Sequence, residues 1–163
     1  MSQRLTFRLR EDNRVTLGGM DEFLSGLLLE IPEAGAPSPQ ARERLFPKPT
    51  AGRNPETDQD WADFIQPDLE DQFSKNRNRV AEDLRGMRNL GRKGWELDIP
   101  REHLAEWIHA LNQARIALSC LNNLGEKDLD EQTPLHGPSG LLVFQIQFYG
   151  VLQEWMLSLT DDI

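Results

Sequence analysis

The chain is short of most of what catalysis and covalent stabilisation draw on. It has one cysteine, Cys120, so no internal disulfide can close the fold. In its apolar helical context that thiol reads as a small buried hydrophobe. There are three histidines, His103, His109 and His136, and no phosphate-binding glycine loop, nucleophile elbow or paired-cysteine motif. Positive charge is scarce as well. Lys and Arg number 18 against 27 Asp and Glu, giving −9 at pH 7 and a pI near 4.8. This balance argues against a dedicated binder of nucleic acid or of an anionic membrane, both of which need a basic field. No long apolar run goes uninterrupted. The best, residues 141–159, holds Gln145, Gln147, Gln153 and Glu154 and has no flanking Lys or Arg, so it reads as a core helix and not a membrane span. The opening residues carry charge with no apolar run behind it, so no signal peptide is expected and the location reads as cytoplasmic.

What is present suffices for one domain spanning 1–163, because 163 residues with 38% hydrophobic side chains can bury a core without metals or disulfides. Leu5, Phe7 and Leu9 alternate with polar residues, Glu11-Asp12-Asn13 supplies a turn, and Val15 and Leu17 continue the alternation. That pattern predicts an N-terminal β-hairpin over residues 1–17, which needs helices beneath its apolar face. Phe23, Leu24, Leu27, Leu28 and Ile31 predict a short helix over residues 21–31, stopped at Pro32. Residues 32–57, with six prolines and little periodicity, read as a long connector whose Leu45 and Phe46 pack on the body. Residues 58–160 read as the helical core. There, Trp61, Phe64 and Ile65 share a face, and Leu69, Phe73, Val80, Leu84 and Met87 form a stripe with Asn76 in the skipped position. The spacing allows either two helices or one helix kinked at Pro67. Trp95, Leu97 and Ile99 alternate briefly. Leu104, Trp107, Ile108, Leu111, Leu118 and Leu121 mark the buried face of a helix ending near residues 123–125, and a polar loop covers 126–137. The last helix is apolar nearly all round and so reads as central. The fold class is mainly α, a four- to five-helix bundle with a small N-terminal β-hairpin.

Few residues carry chemistry. Glu106 and His109 have the i, i+3 spacing of one half of a bundle di-metal site. The other half is missing, so the plainer reading is polar groups flanking a buried Trp107, with neither metal nor cofactor. Asn112 and Arg115 fall on or beside an apolar stripe, and a guanidinium there must find a carboxylate or several carbonyls. Glu154, the one charge in the terminal helix, is its natural partner, with Asp63 and Asp68 as alternatives. Such a pair fixes helix register; the functional alternative is a site for an anion or a partner peptide. Arg77 and Arg79 belong to a basic helix half, Lys75 to Lys93, that follows an acidic half. A dipole-matched solvated helix accounts for this, and docking of an acidic partner or RNA is the alternative. No aromatic residues interleave there to stack on bases.

Three stretches together resemble a known family: Arg44-Leu45-Phe46-Pro47; Trp61-Ala62-Asp63-Phe64 leading into Pro67-Asp68-Leu69-Glu70-Asp71; and Trp107 through Leu118 with its Asn112 and Arg115. They are similar to the bacterial family catalogued as domain of unknown function 2017, common in actinobacteria, over roughly residues 20–160. Two departures stand out: Ile65 where the family usually has Arg, and Gln113 where it usually has Asp. The family has no assigned activity. Its genes often lie beside that of the Clp protease adaptor, so the resemblance implies a regulatory or adaptor-like protein with Asn112 and Arg115 as its motif residues. The expectation is a non-enzymatic cytosolic binding module with a protein partner. The alternatives are a small enzyme or metal protein using Glu106 and His109, and nucleic-acid binding through the basic helix.

Overall fold

A computed structural model describes residues 4–121 and 137–160. The expected helix end at 123–125, most of the polar loop at 126–137 and His136 lie outside the described residues. The protein is mainly α with a small antiparallel sheet. The N-terminal hairpin forms from β1 (Thr6–Leu9) and β2 (Arg14–Met20), paired so that Phe7 faces Leu17 and Leu9 faces Val15. Its turn uses Asn13 at φ 63, with the Asp12 carboxylate accepting from the Arg14 N–H at 3.3 Å. The hairpin is not alone. The short alternation at Trp95 is β4 (Trp95–Pro100), which pairs along β2, and β3 (Arg88–Asn89) pairs with β4, giving the order β1-β2-β4-β3. A bulge interrupts β2 between Leu17 and Met20. Gly19 there has φ 69, and a Cβ would stand 2.0 Å from the Arg4 carbonyl oxygen, so only glycine fits.

The helices are α1 (Glu22–Leu29), α2 (Ile31–Ala34), α3 (Pro39–Leu45), α4 (Pro55–Phe64), α5 (Gln66–Leu84), α6 (Leu104–Leu121) and α7 (Gly137–Ser158). Seven among the described residues exceed the four or five expected, because prolines that read as breakers here open helices. Pro39 follows Ser38, whose hydroxyl accepts from the Ala41 N–H. Pro55 follows Asn54, whose side chain accepts from the Thr57 N–H. The segment read as a connector thus contains α2 and α3. Ala41, Leu45 and Phe46 are buried against Ala117, with Phe46 and Phe73 rings 5.0 Å apart. Between residues 57 and 84 the chain forms two helices that break at Ile65, with Pro67 in the first turn of the second.

The inner face of the sheet (Val15, Leu17, Met20, Leu97 and Ile99) packs with Leu28, Val80, Leu84, Leu104, Trp107, Leu111, Tyr149 and Leu152 in one continuous core. The expectation of a central terminal helix is corrected. It is α6 that α2, α3, α5 and α7 surround, while α7 leaves Leu141, Val151 and Leu157 exposed. Bulk all round marked α7 as central, yet what lets a helix be surrounded is small side chains. Ala110, Ala114 and Ala117 on α6 are fully buried and admit neighbours closely.

Three polar links order this core. Asp83 on α5 accepts from the Trp107 indole N–H at 2.8 Å and stands 3.0 Å from His103 Nδ1. Arg101 caps the far end of α7 by donating to the Leu159 carbonyl. The third link is the only tyrosine, Tyr149, whose hydroxyl donates to the Leu27 carbonyl at the end of α1 and accepts from Gln145 at 3.0 Å.

Burial pushes the Tyr149 phenol up to about 12; the Gln145 hydrogen bond opposes the rise and the Glu30 charge adds to it. A phenol whose folded pKa exceeds its unfolded one stabilises the fold fully below the unfolded value, and that contribution fades as pH climbs toward the folded value. The separation is worth about 3 kcal/mol. Absorbance of ionised tyrosine should therefore rise together with loss of near-ultraviolet dichroism, and not near the ordinary value of 10.0. Ionisation at that ordinary value in a folded protein would contradict the buried hydroxyl.

Candidate functional site

Arg115 stands where α6 crosses α7. It is half-buried and lies across Gly150, where a Cβ would meet its Cζ and Nη2 at 3.3 Å. The glycine is what brings the guanidinium onto the helix surface. The expected ion pair with Glu154 is not formed. Arg115 Nη1 instead donates to the neutral Gln153 Oε1 at 3.0 Å, and Gln153 donates to the Ile108 carbonyl at 3.3 Å. Adjacent positions on a helix point about 100° apart. Gln153 therefore takes the inward position and Glu154 is exposed on the rim. Asp63 and Asp68, the alternative partners, form no ion pair with Arg115 either. Nε of Arg115 is buried without a hydrogen-bond partner. Beside the guanidinium runs a groove of about 550 Å³ lined by Arg115, Gln147, Gly150, Val151, Gln153, Glu154 and Leu157. Asn112 is exposed on α6 and does not line it.

Arg77 and Arg79 do not join this groove. Arg77 is half-buried between α5 and α6, and burial lowers its pKa from the ordinary guanidinium value. It donates to the Gln113 Oε1 at 3.0 Å, leaving the Gln113 Nε2 buried without a partner. Gly35 admits the contact, since a Cβ there would meet the Gln113 Cβ at 3.2 Å. Arg79 binds Glu106 at 3.2 Å and Glu82 at 3.5 Å. Those hydrogen bonds and charges raise its pKa against the effect of burial. The expected basic face of α5 is therefore largely spoken for: Lys75 pairs with Asp71 on the same helix, and beyond it Arg88 pairs with Glu96 and Asp98.

Of the metal candidates, Glu106 is engaged by Arg79 and His109 is exposed on α6. Among the described residues, no three His, Cys, Asp or Glu side chains converge as a ligand set. Cys120 is half-buried at the edge of the smaller cluster, a correction to the buried thiol expected.

Several features had no clear signature in the sequence. Asp58, buried on α4, accepts from the Thr50 N–H and hydroxyl and from the Gly52 N–H, pinning the loop after α3. Burial raises its pKa, but these bonds and Lys48 outweigh that and hold it below the usual carboxylate value. The pinned loop forms one wall of a groove of about 770 Å³ that includes Phe46, Pro47, Lys48, Asp58 and Trp61. Phe64 and Ile65, which share a helical stripe with Trp61, turn outward and are exposed.

The family model described as "Domain of unknown function (DUF2017)" matches residues 2–160. No curated protein and no solved structure matches the chain.

The Arg77–Gln113 contact yields a prediction. Gln113→Glu replaces an unpartnered buried donor with a carboxylate facing a guanidinium. At neutral pH it should raise stability by about 1–2 kcal/mol, because it removes the buried, unpartnered Nε2, a group of the kind that costs about 1–3 kcal/mol. A paired carboxylate has a lowered folded pKa, so the gain is present at neutral pH and is lost as the medium acidifies through the carboxylate range. Denaturant melts of both proteins at neutral and acid pH measure it; equal midpoints at neutral pH would contradict the assigned contact.

Proposed function

The chain belongs to the DUF2017 family, a domain of unknown function, and we propose that it is a non-enzymatic binding or regulatory module that captures a protein partner at Arg115. The observation that carries this reading is a permanently charged, half-buried guanidinium with no ion-pair carboxylate among the described residues, beside an open groove. Its neutral partner Gln153 holds it in place without cancelling its charge. A partner's carboxylate entering the groove would supply the missing counter-charge through a charge-assisted hydrogen bond. Glu154 on the rim adds selection, because it repels acidic groups that approach off-centre and attracts a neighbouring cation. Asn112, exposed one turn before Arg115 on α6, extends the surface beyond the groove.

In this reading the module works in the bacterial cytoplasm and is adaptor-like. No helix of the described residues is long and apolar enough to cross a membrane. Nucleic-acid binding through α5 has less support, because Lys75 and Arg79 are paired with acids and Arg77 is turned inward. A metal enzyme built on Glu106 and His109 has less support as well, because Arg79 already holds Glu106.

Arg115→Ala separates a binding group from a structural one. Removing one member of a buried ion pair costs about 3–5 kcal/mol. Removing a guanidinium held by one neutral amide, with its Nε unpartnered, should change stability by less than about 1 kcal/mol. Denaturant melts give that number. Affinity capture from native extract, compared between wild type and Arg115→Ala by mass spectrometry, gives the function. The expected result is a partner retained by wild type and lost by the variant at nearly unchanged stability. A loss on the ion-pair scale, or an identical set of captured proteins, contradicts the proposal.

A further inference from the structure

A second surface is built at the corner between α4 and α5, far from basic in character. Helix α4 ends at Phe64, the chain breaks at Ile65, and α5 begins at once because Pro67 suits its first turn. The corner is held rigidly: the Ile65 N–H donates to the Trp61 carbonyl, and the Ile65 carbonyl accepts from Asp68 and Leu69. This fixed corner presents Phe64 at 75% exposure, Ile65 at 50% and Leu69 at 36%. Single exposed apolar residues are ordinary, but three large ones together, one of them an aromatic that is mostly exposed, mark a place where another surface belongs.

The rim defines what fits. Glu56, Asp60 and Asp63 follow one face of α4 at i, i+4 and i+3 spacing toward Phe64, and Asp68 lies just beyond the break. All four are exposed, and none forms an ion pair among the described residues; Asp63 only accepts from the Gln59 amide at 2.8 Å. Two cations of the neighbouring helical surface are already committed, Arg42 to Glu70 and Lys75 to Asp71. An apolar centre ringed by uncancelled carboxylates matches a segment with large apolar anchors on one face and Lys or Arg beside them. We propose that the α4–α5 corner docks a basic amphipathic helix of a partner protein, with its apolar residues on Phe64, Ile65 and Leu69 and its cations on Glu56, Asp60, Asp63 and Asp68. The same rim repels acidic peptides and nucleic acid. It also disfavours a second copy of this chain, whose net charge is −9. The proposal does not rest on Arg115.

The test uses a synthetic helical peptide of Leu and Lys, with Leu at i, i+3, i+4 and i+7, titrated by calorimetry. Wild type should bind it in a salt-dependent way and should not bind the same peptide with Glu in place of Lys. Phe64→Ser with Ile65→Ser should weaken binding at least about tenfold, as expected for loss of a central aromatic anchor. Asp60→Asn with Asp63→Asn should weaken it too, while Glu11→Gln with Glu33→Gln, equal in charge change but placed elsewhere, should leave it as in wild type. Thermal melts verify that each variant is folded, and the substituted side chains are exposed. Failure of wild type to bind the Leu/Lys peptide overturns the proposal, and so does equal binding by the Phe64→Ser, Ile65→Ser variant. So does equal weakening by the two acid-neutralising variants, which would show attraction to net charge alone. A dimer in sedimentation that Phe64→Ser with Ile65→Ser dissolves would assign the corner to a second copy and overturn it as well.

Discussion

The hydrogen bond from the Trp107 indole to Asp83 sets the position of everything around it. Trp107 is fully buried on α6, and its one polar atom needs an acceptor. Asp83 reaches it from the last turn of α5 and also receives His103, which lies in the turn joining β4 to α6. One carboxylate therefore fixes where α5 ends, where the sheet hands over to the helices, and the rotation of α6 about its axis. With that rotation fixed, Ala114 lies against Gly35 after α2, and Ala117 joins Ala41 and Leu45 of α3. Arg115, one position beyond Ala114, is then turned to Gly150.

Electrostatically the molecule divides into groups whose partners are supplied and groups whose partners are not. On the outer face of the sheet Asp98 accepts from the Thr16 hydroxyl and pairs with Arg88 and Arg10. These bonds outweigh its burial and hold its pKa below the usual carboxylate value. Asp58 is equally well served. Arg115 and Arg77, by contrast, each meet only a glutamine, and each contact leaves a buried nitrogen without a partner. Arg79 and Arg88, by comparison, are matched to carboxylates. Beside Arg115 the groove lies open.

Much of this was legible in the residues. The period-two run at Leu5 to Leu17 gave the hairpin, and Pro67 with its acidic turn gave the start of α5. The spacing around Trp107 gave the buried face of α6. What escaped did so for identifiable causes. The pairing of β2 with β4 joins residues more than eighty positions apart, as in Val15 with Ile99. Alternation shows that a strand exists but not which edge it joins. The helices α2 and α3 were masked by prolines, whose meaning depends on whether a capping residue precedes them. The Arg115 partner was missed by one position, Gln153 and not Glu154, because composition finds a charge while helix phase decides which side chain faces it. The outward turn of Phe64 and Ile65 was hidden because their helical spacing is the same whether the face is buried or bare.

Helix α6 is surrounded, whereas α7 is packed on one side only. Native-state hydrogen exchange measures that difference directly, since amides in the last structure to open exchange only through global unfolding. The account predicts that amides of α6 from Trp107 to Ala117 exchange at the global limit. It also predicts that the outer positions of α7 around Val151, Glu154 and Leu157 exchange through smaller openings. Slower exchange in that part of α7 than in α6 would contradict it and return the terminal helix to the centre of the fold.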